Sequence, residues 1–326
     1  MEKTIVIEPY GHTIAYKEWQ SECCTFSQRR GIIICLHGLG DNSGAYDIMA
    51  PIFADKGFCV LAIDLPGHGL SAHTGRYSPY QIAESLLRFT IRLGLFETDE
   101  DIFLVAHSFS TEATIFLAGT YPRLFKKIVL LDNPGPPEES KLTTDIFTGQ
   151  PFLDYRSKLK KFYDSVARKE RRHPSSYKSI EDAADYRLRN APKFFRLDER
   201  AAYNISKRAY KRIAENLYRL CQDPMVIRDS GPSGPGQMCS RRDVEALVKN
   251  ISTTCLLIQF DSWKEAWWIK AHGSILKFYP SMITVSVEGP HHAFAMNGTG
   301  QVCADIIINF LISMSMPFFL KAPGSK

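Results

Sequence analysis

Four residues of this sequence have the types that nucleophilic catalysis needs, and each follows an apolar run of the chain: Ser108, Asp132, Asp261 and His291. A serine hydroxyl is a weak nucleophile until an imidazole accepts its proton, and a carboxylate has to orient that imidazole. The chain order of serine, aspartate and histidine is one in which such sites occur. These residues therefore predict a catalytic serine with a histidine base, and they leave two aspartates as candidates for the acid.

Alternating strand and helix patterns position these residues. The first third of the chain carries runs typical of strands at residues 3–8, 12–18, 31–36, 58–63, 102–106 and 127–131. Helical patterns lie between them, at residues 44–55, 79–95 and 111–121. This alternation predicts an α/β fold with a mostly parallel, doubly wound sheet, and the first two runs predict an antiparallel hairpin at its edge. Ligands of such sheets bind beyond the carboxyl ends of the strands, where we expect the four residues to meet.

The alternation is interrupted after residues 133–137 and resumes with runs at residues 254–260, 263–278, 282–288 and 300–313. The intervening segment is basic, helical in pattern and poor in strand signals. Residues 151–230 hold twenty Lys and Arg against eleven Asp and Glu, an excess of nine positive charges in a chain whose net charge is +5. We therefore expect a core formed by residues 1–137 and 241–326, with residues 138–240 inserted as a helical cap.

Residues 106–110 read Ala-His-Ser-Phe-Ser, whereas nucleophile elbows carry the pattern G-x-S-x-G. The elbow is a sharp strand-to-helix turn with small residues two positions either side of the serine, because strand and helix approach closely there. Ala106 and Ser110 are both small, and serine is accepted near a helix start. The sequence therefore favours a working elbow at Ser108.

Five stretches of the chain, taken in order, carry motifs that occur together in one known superfamily. They are His37-Gly38-Leu39-Gly40-Asp41-Asn42, Asp64-Leu65-Pro66-Gly67-His68-Gly69-Leu70-Ser71, His107-Ser108-Phe109, Ile128-Val129-Leu130-Leu131-Asp132 and Glu288-Gly289-Pro290-His291-His292. Together they resemble the α/β-hydrolase superfamily and, within it, the serine hydrolase-like (Kraken-type) proteins. The resemblance implies Ser108 as the nucleophile, His291 as the general base, and an oxyanion hole formed by the backbone N–H groups of Leu39 and Phe109. It also implies hydrolysis of a carboxylic ester or thioester through an acyl-enzyme, with no cofactor and no metal ion.

Two alternatives are left for the acid. Asp132 stands at the end of the run 127–131, where some family members carry it. Others carry it one strand later, where this chain reads Phe260-Asp261-Ser262-Trp263 and lacks the usual glycine followed by an acid. We therefore favour Asp132 over Asp261. For the base we favour His291 over His292, because His291 fits the family's Gly-x-His motif.

The composition limits the remaining classes of function. No apolar stretch reaches the ~18 residues of a membrane span, no secretory signal precedes the first strand, and the eight cysteines show no metal-ligand spacing. These features favour a cytoplasmic protein, with a peroxisomal or membrane-associated location left open. The basic segment carries no nucleic-acid motif. Its charge favours solvated helix faces, and the alternative is a field that draws an anionic form of the small-molecule acyl substrate towards the site. A ligand-binding protein on the same fold, with reduced or lost catalysis, is the alternative function.

Overall fold

The centre of the molecule is an eight-stranded sheet, and a smaller three-stranded sheet lies in the inserted segment. A computed structural model describes residues 1–7, 11–20, 29–137, 160, 175–226 and 240–313. In chain order, the strands of the two sheets are β1 (Glu2–Ile7), β2 (His12–Trp19), β3 (Ile32–Leu36), β4 (Cys59–Ile63), β5 (Ile102–His107), β6 (Lys127–Leu131), β7 (Ser176–Tyr177), β8 (Tyr210–Ala214), β9 (Leu217–Leu220), β10 (Cys255–Gln259) and β11 (Met282–Ser286).

The large sheet has the spatial order β1-β2-β4-β3-β5-β6-β10-β11. Its first two strands form the predicted antiparallel hairpin at one edge, and β2 also runs antiparallel to β4. All the other pairs in this sheet are parallel. Strands β3, β4 and β5 are buried along their whole length, which explains their unbroken apolar sequences. The mostly parallel, doubly wound sheet is therefore the predicted one.

Helices cover both faces of this sheet. Those that the structure describes are α1 (Met49–Asp55), α2 (Pro79–Arg92), α3 (Ser110–Thr120), α4 (Ile180–Asn190), α5 (Glu199–Ala209), α6 (Arg241–Lys249), α7 (Ala266–His272) and α8 (Thr299–Ile312). Helices α1 and α8 bury their apolar sides in one hydrophobic cluster, while α2, α3 and α6 bury theirs in a second cluster on the opposite face. None of the helices within the described residues is long and apolar enough to cross a membrane.

Two predicted helices are interrupted. The pattern at residues 44–55 forms a 3-10 turn (Ser43–Tyr46) before α1, because the Asn42 side chain accepts from the Gly44 N–H and closes that turn. The pattern at residues 263–278 forms a 3-10 turn (Asp261–Lys264), then α7, then a second 3-10 stretch (Gly273–Phe278). Extended backbone at Glu265 separates the first turn from α7. Trp263 and Trp267 consequently lie on different elements.

The inserted segment is less purely helical than its sequence pattern predicts. Helices α4 and α5 are present, but β7, β9 and β8 form an antiparallel sheet beside them. Asn216 has a positive φ of 51°, which a short polar residue tolerates, and it makes the tight turn between β8 and β9. The prediction of little strand character was therefore wrong here. Residues 138–159, 161–174 and 227–239 of the expected cap lie outside the described residues, as does the chain after residue 313.

Hydrogen bonds from helix α5 hold the inserted segment against the carboxyl edge of the large sheet. Arg208 Nε donates to both carboxylate oxygens of Asp64, which follows β4, at 2.9 and 2.8 Å. Asn42, in the loop after β3, donates through Nδ2 to the backbone oxygen of Ile205 at 2.9 Å. These contacts hold the segment against the loops in which the sequence predicts the site.

Candidate active site

Ser108 occupies a sharp turn between β5 and α3. Its φ is +52°, a left-handed conformation that residues with a side chain rarely adopt. Hydrogen bonds hold it there: its N–H donates to Leu131 O at 3.2 Å, and its carbonyl accepts from Thr111 Oγ1 at 2.7 Å and from Asn133 Nδ2 at 3.3 Å. The Ser108 side chain is half-buried at the end of a buried strand, in the strained setting of a nucleophile elbow.

The two residues that replace the usual glycines fit this turn. Ala106 is fully buried in β5 without disturbing the strand. The buried hydroxyl of Ser110 accepts from the His107 N–H at 3.1 Å and reaches the carbonyls of Leu36 and His107 at 3.0 and 2.9 Å. Ser110 thus links the ends of β3 and β5 at the point where the helix begins.

His291 lies between Ser108 and Asp132. Its Nδ1–H donates to Asp132 Oδ2 at 2.5 Å, and the Ser108 hydroxyl donates to its Nε2 at 2.8 Å. The carboxylate fixes the imidazole proton on Nδ1, which leaves the lone pair of Nε2 facing the serine. Asp132 and His291 are almost completely buried. The three residues therefore form one continuous chain of hydrogen bonds with the geometry of a Ser-His-Asp triad.

The structure brings Asp132 to His291 and leaves Asp261 elsewhere. Asp132 directly follows β6 and has a positive φ of 65°, which turns its side chain out of the strand direction. Its Oδ1 accepts from the Phe260 N–H at 2.9 Å and from the Ser262 hydroxyl. Asp261 is partly exposed and pairs with Lys264 at 2.7 Å. Of the two candidate acids, only Asp132 has a hydrogen bond to the imidazole among the described residues.

Burial governs the charges of this pair. It lowers the pKa of His291 well below the ordinary value, and the neighbouring His292 lowers it further. Burial also raises the pKa of Asp132 to about 7, although the donors from Ser262 and Phe260 act in the opposite direction. Because the two groups share a short hydrogen bond, they gain and lose protons as a pair. At neutral pH and above, His291 is an uncharged base.

The loop after β3 lies against the elbow. A Cβ on Gly38 would come within 3.2 Å of Ser108 Cβ and 2.8 Å of His107 Nδ1, so only glycine permits this approach. Leu39 follows in the same loop. No residue that the structure describes accepts a hydrogen bond from the backbone N–H of Leu39 or of Phe109. Neither donor is therefore committed to another residue of the described chain.

Asp41 ties this loop to the inserted segment. Arg187, on α4, donates to Asp41 Oδ1 at 2.9 Å and to Gly40 O at 3.1 Å. His292 Nε2 lies 2.9 Å from Asp41 Oδ2. Burial would raise the pKa of Asp41, but its contacts with His292 and Arg187 outweigh burial and hold this pKa far below the ordinary value. The Asp41 carboxylate is therefore charged and paired from both sides.

Asp41, His107 and His292 also offer possible metal-ligand atoms within 4.8 Å of one another. His107 is fully buried, and its Nε2–H donates to the carbonyl of His291 at 3.0 Å. The Asp41 carboxylate already pairs with the Arg187 guanidinium and an imidazole. We therefore interpret the group as a hydrogen-bonded cluster that holds the loops around His291 rather than as a metal centre.

Aromatic side chains surround the imidazole on its outer side. The Phe194 ring stacks on His291 with ring centroids 5.3 Å apart, and the Phe195 ring meets it edge-on at 5.3 Å. Trp268 lies 5.5 Å from His291, and Trp267 lies 5.3 Å from Phe194. Phe194, Phe195 and Trp267 are half-buried. The imidazole of His291 thus lies against an apolar wall that is partly exposed.

Ser108, Asp132 and His291 are predicted from the sequence to lie at one sheet edge, and they meet there. The contacts of Ser262, Arg187 and Phe194 with this site were not predicted. A signal existed for Ser262, because it follows β10 and Asp132 follows β6, and the ends of adjacent strands lie side by side. No comparable signal existed for the inserted segment, whose contacts with the sheet depend on long-range packing.

Comparisons with known proteins agree with this architecture. A family model described as alpha/beta hydrolase fold matches residues 31–213. A serine hydrolase-like protein of Dictyostelium discoideum is 26% identical over 317 residues, which cover 91% of this chain and 78% of that protein. A hypothetical protein of Pseudomonas aeruginosa has a similar structure, with a TM-score of 0.75 at 19% identity over 96% of this chain and 99% of that one. The thioesterase domain of the curacin biosynthetic pathway gives a TM-score of 0.71 at 19% identity, over 94% and 98%.

Proposed function

Because this chain belongs to the α/β-hydrolase family, we propose that it is a serine hydrolase that cleaves a carboxylic ester or thioester. One observation carries the proposal: Ser108 Oγ, His291 and Asp132 are joined by hydrogen bonds of 2.8 and 2.5 Å. A serine, a base and an orienting carboxylate in this arrangement are the minimum that acyl transfer through a serine requires. The serine hydrolase-like relative supports the same class of reaction.

In the proposed reaction, Ser108 Oγ attacks the acyl carbon while its proton passes to His291 Nε2. The resulting oxyanion accepts from the N–H groups of Leu39 and Phe109, and one such donor is typically worth about 3–4 kcal/mol in the transition state. The bond to the leaving alcohol or thiol then breaks, and His291 returns the proton to the leaving group. Water deprotonated by the same imidazole hydrolyses the acyl-enzyme. Throughout, Asp132 keeps the imidazole in the tautomer with the proton on Nδ1.

We propose further that the inserted residues 138–240 act as a cap that shapes the substrate pocket. The half-buried rings of Phe194, Phe195 and Trp267 beside the base favour a substrate with an apolar group. Lys193 and Arg196 flank the two phenylalanines and are exposed, which favours an anionic substituent on the same substrate. A panel of 4-nitrophenyl esters and acyl thioesters, varied in chain length and terminal charge, tests this preference through kcat/KM.

A fluorophosphonate probe tests the nucleophile directly, since it reacts with activated serines. We expect one adduct, on Ser108, identified by peptide mass spectrometry, and we expect Ser108→Ala to abolish both labelling and ester hydrolysis. Ser252→Ala is the matched control, because Ser252 is exposed before β10 at the opposite edge of the sheet. Its labelling and turnover should equal those of the parent protein.

A folded protein that forms no adduct and hydrolyses none of the esters would contradict the proposal. That result, combined with a ligand-induced rise in Tm that persists in Ser108→Ala, would favour the alternative of a binding protein that has lost catalysis.

A further inference from the structure

The loop after β10 surrounds the acid with donors. The Phe260 N–H and the Ser262 hydroxyl both donate to Asp132 Oδ1. The Trp263 indole N–H donates to the Asp132 backbone oxygen at 2.8 Å. The same loop contains Asp261, which the sequence left as the other candidate for the acid. In the structure it holds the side chain and the main chain of Asp132 in its left-handed conformation.

The two donors on Oδ1 fix the orientation of the carboxylate. With Oδ1 occupied, Oδ2 is the oxygen that faces His291 Nδ1, at 2.5 Å. Asp132 is fully buried and Ser262 is 1% exposed. A hydrogen bond to a charged group is strong in such surroundings. The hydroxyl of Ser262 therefore stabilises the ionised form of Asp132 over the protonated one.

We propose that Ser262 is a positioning residue of the site: its hydroxyl aims Asp132 at His291 and sets the pH at which this pair takes up a second proton. The kinetic part of this inference rests on the proposed hydrolase function. The titration of the pair does not, because it is a property of the folded protein whether or not Ser108 reacts.

Other titratable groups near Asp132 remain the same when Ser262 is changed. His272, on α7, is buried and donates through Nδ1 to Gly135 O at 3.0 Å. Charge on His272 or on His292 would lower the pKa of Asp132. Neither imidazole has a hydrogen bond to Asp132 among the described residues. A change in the titration of the Asp132–His291 pair in a Ser262 variant is therefore attributable to the lost hydroxyl.

The test is Ser262→Ala, followed by NMR titration of the protein labelled with 15N-histidine. The His291 signals are assigned by their loss in His291→Gln. Removing one charge-assisted donor should raise the pKa of the Asp132–His291 pair by about one to two pH units. The acidic limb of the kcat/KM profile should move upward in pH by the same amount. A merely structural role for Ser262 would lower stability or kcat at every pH without moving this limb.

Three variants serve as controls. Ser206→Ala removes a fully buried serine hydroxyl whose oxygen has no partner among the described residues, and it should leave the titration unchanged. Ser262→Thr keeps a hydroxyl and should restore the parent pKa. Ser262→Cys has nearly the size of serine but a weak donor, and it should give an intermediate shift even if the alanine variant fails to fold.

An unchanged His291 titration in folded Ser262→Ala or Ser262→Cys would overturn the inference. A shifted titration in a protein that does not label at Ser108 would instead support the role of Ser262 and refute the hydrolase.

Discussion

Replacing Ser110 by glycine should weaken the fold, although it brings the elbow closer to the G-x-S-x-G pattern. The Ser110 hydroxyl accepts from the backbone N–H of His107 at 3.1 Å inside the protein. Glycine removes this acceptor and also the contacts of the hydroxyl with the carbonyls of Leu36 and His107. A buried hydrogen bond contributes about 0.5–1.5 kcal/mol net, and glycine in a helix costs roughly 0.5 kcal/mol relative to serine. We therefore expect Ser110→Gly to lower the free energy of unfolding by about 1–2 kcal/mol.

The substitution should affect the carbonyl of Leu36 less than the amide of His107. Its carbonyl is the other end of the Ser110 contact at 3.0 Å, but it also accepts from the Tyr46 hydroxyl at 2.7 Å. The loss is therefore concentrated on the amide of His107, which gives the prediction a local readout. Amide hydrogen exchange at residue 107 should accelerate more than exchange elsewhere in β5.

Urea unfolding with linear extrapolation measures the free energy, and Ser110→Ala provides the comparison. The alanine variant keeps Cβ and loses only the hydroxyl, so most of the destabilisation should already appear in it. The reasoning is refuted if both variants match the parent in stability, or if the glycine variant is the more stable protein. Either result would mean that the Ser110 hydroxyl does not stabilise the fold.

Three further predictions concern the acid, the pH dependence and the inserted segment. Asp132→Asn should reduce kcat about 10⁴-fold, because an amide favours the wrong tautomer of His291, whereas Asp261→Asn should leave kcat unchanged. The kcat/KM of the parent protein should fall as the pH is lowered through about 7, because the raised pKa of Asp132 lets the pair take up a second proton there. Arg208→Met should lower the free energy of unfolding by about 3–5 kcal/mol, because it leaves the Asp64 carboxylate buried without its cation.

Each of these three predictions would be contradicted by a specific result. Equal losses of kcat in the two asparagine variants would argue that both aspartates act on the base. A profile that is flat down to pH 5 would show that the pair stays singly protonated in that range. For the buried cation, Arg200→Met is the control, since Arg200 is exposed on the same helix. Equal stability of the two methionine variants would contradict the importance of the Arg208–Asp64 pair.

The sequence predicted the parts of this molecule that depend on local pattern. Buried parallel strands are continuous apolar runs, so β3, β4 and β5 could be placed within a residue or two. The chemistry-bearing residues follow such strands, and this is why Ser108 and His291 could be placed at one edge. Because Ala106 and Ser110 are small, the sequence predicted that the turn between strand and helix could form, as it does. It did not predict that the Ser110 hydroxyl would contact both β3 and β5.

The remaining features depend on contacts between distant segments. The choice between Asp132 and Asp261 could not be settled from order along the chain, because both follow strands that end at the same edge. The positive φ of Asp132 and the donors from the neighbouring loop distinguish them, and neither is visible in sequence. The strands β7, β8 and β9 are short and mostly polar, so their pairing gave no alternating apolar pattern.

The inserted segment reaches the histidine loop through its main chain. The carbonyl of Phe194 accepts from the His291 N–H at 3.1 Å, while the Phe194 side chain lies over the imidazole. The backbone of Phe194 thus supports the loop that carries His291, while its side chain covers the imidazole. Under the proposed function, substitutions at position 194 would alter which acyl groups are accepted without removing that support. A single mutation at this position would then be enough to change the specificity.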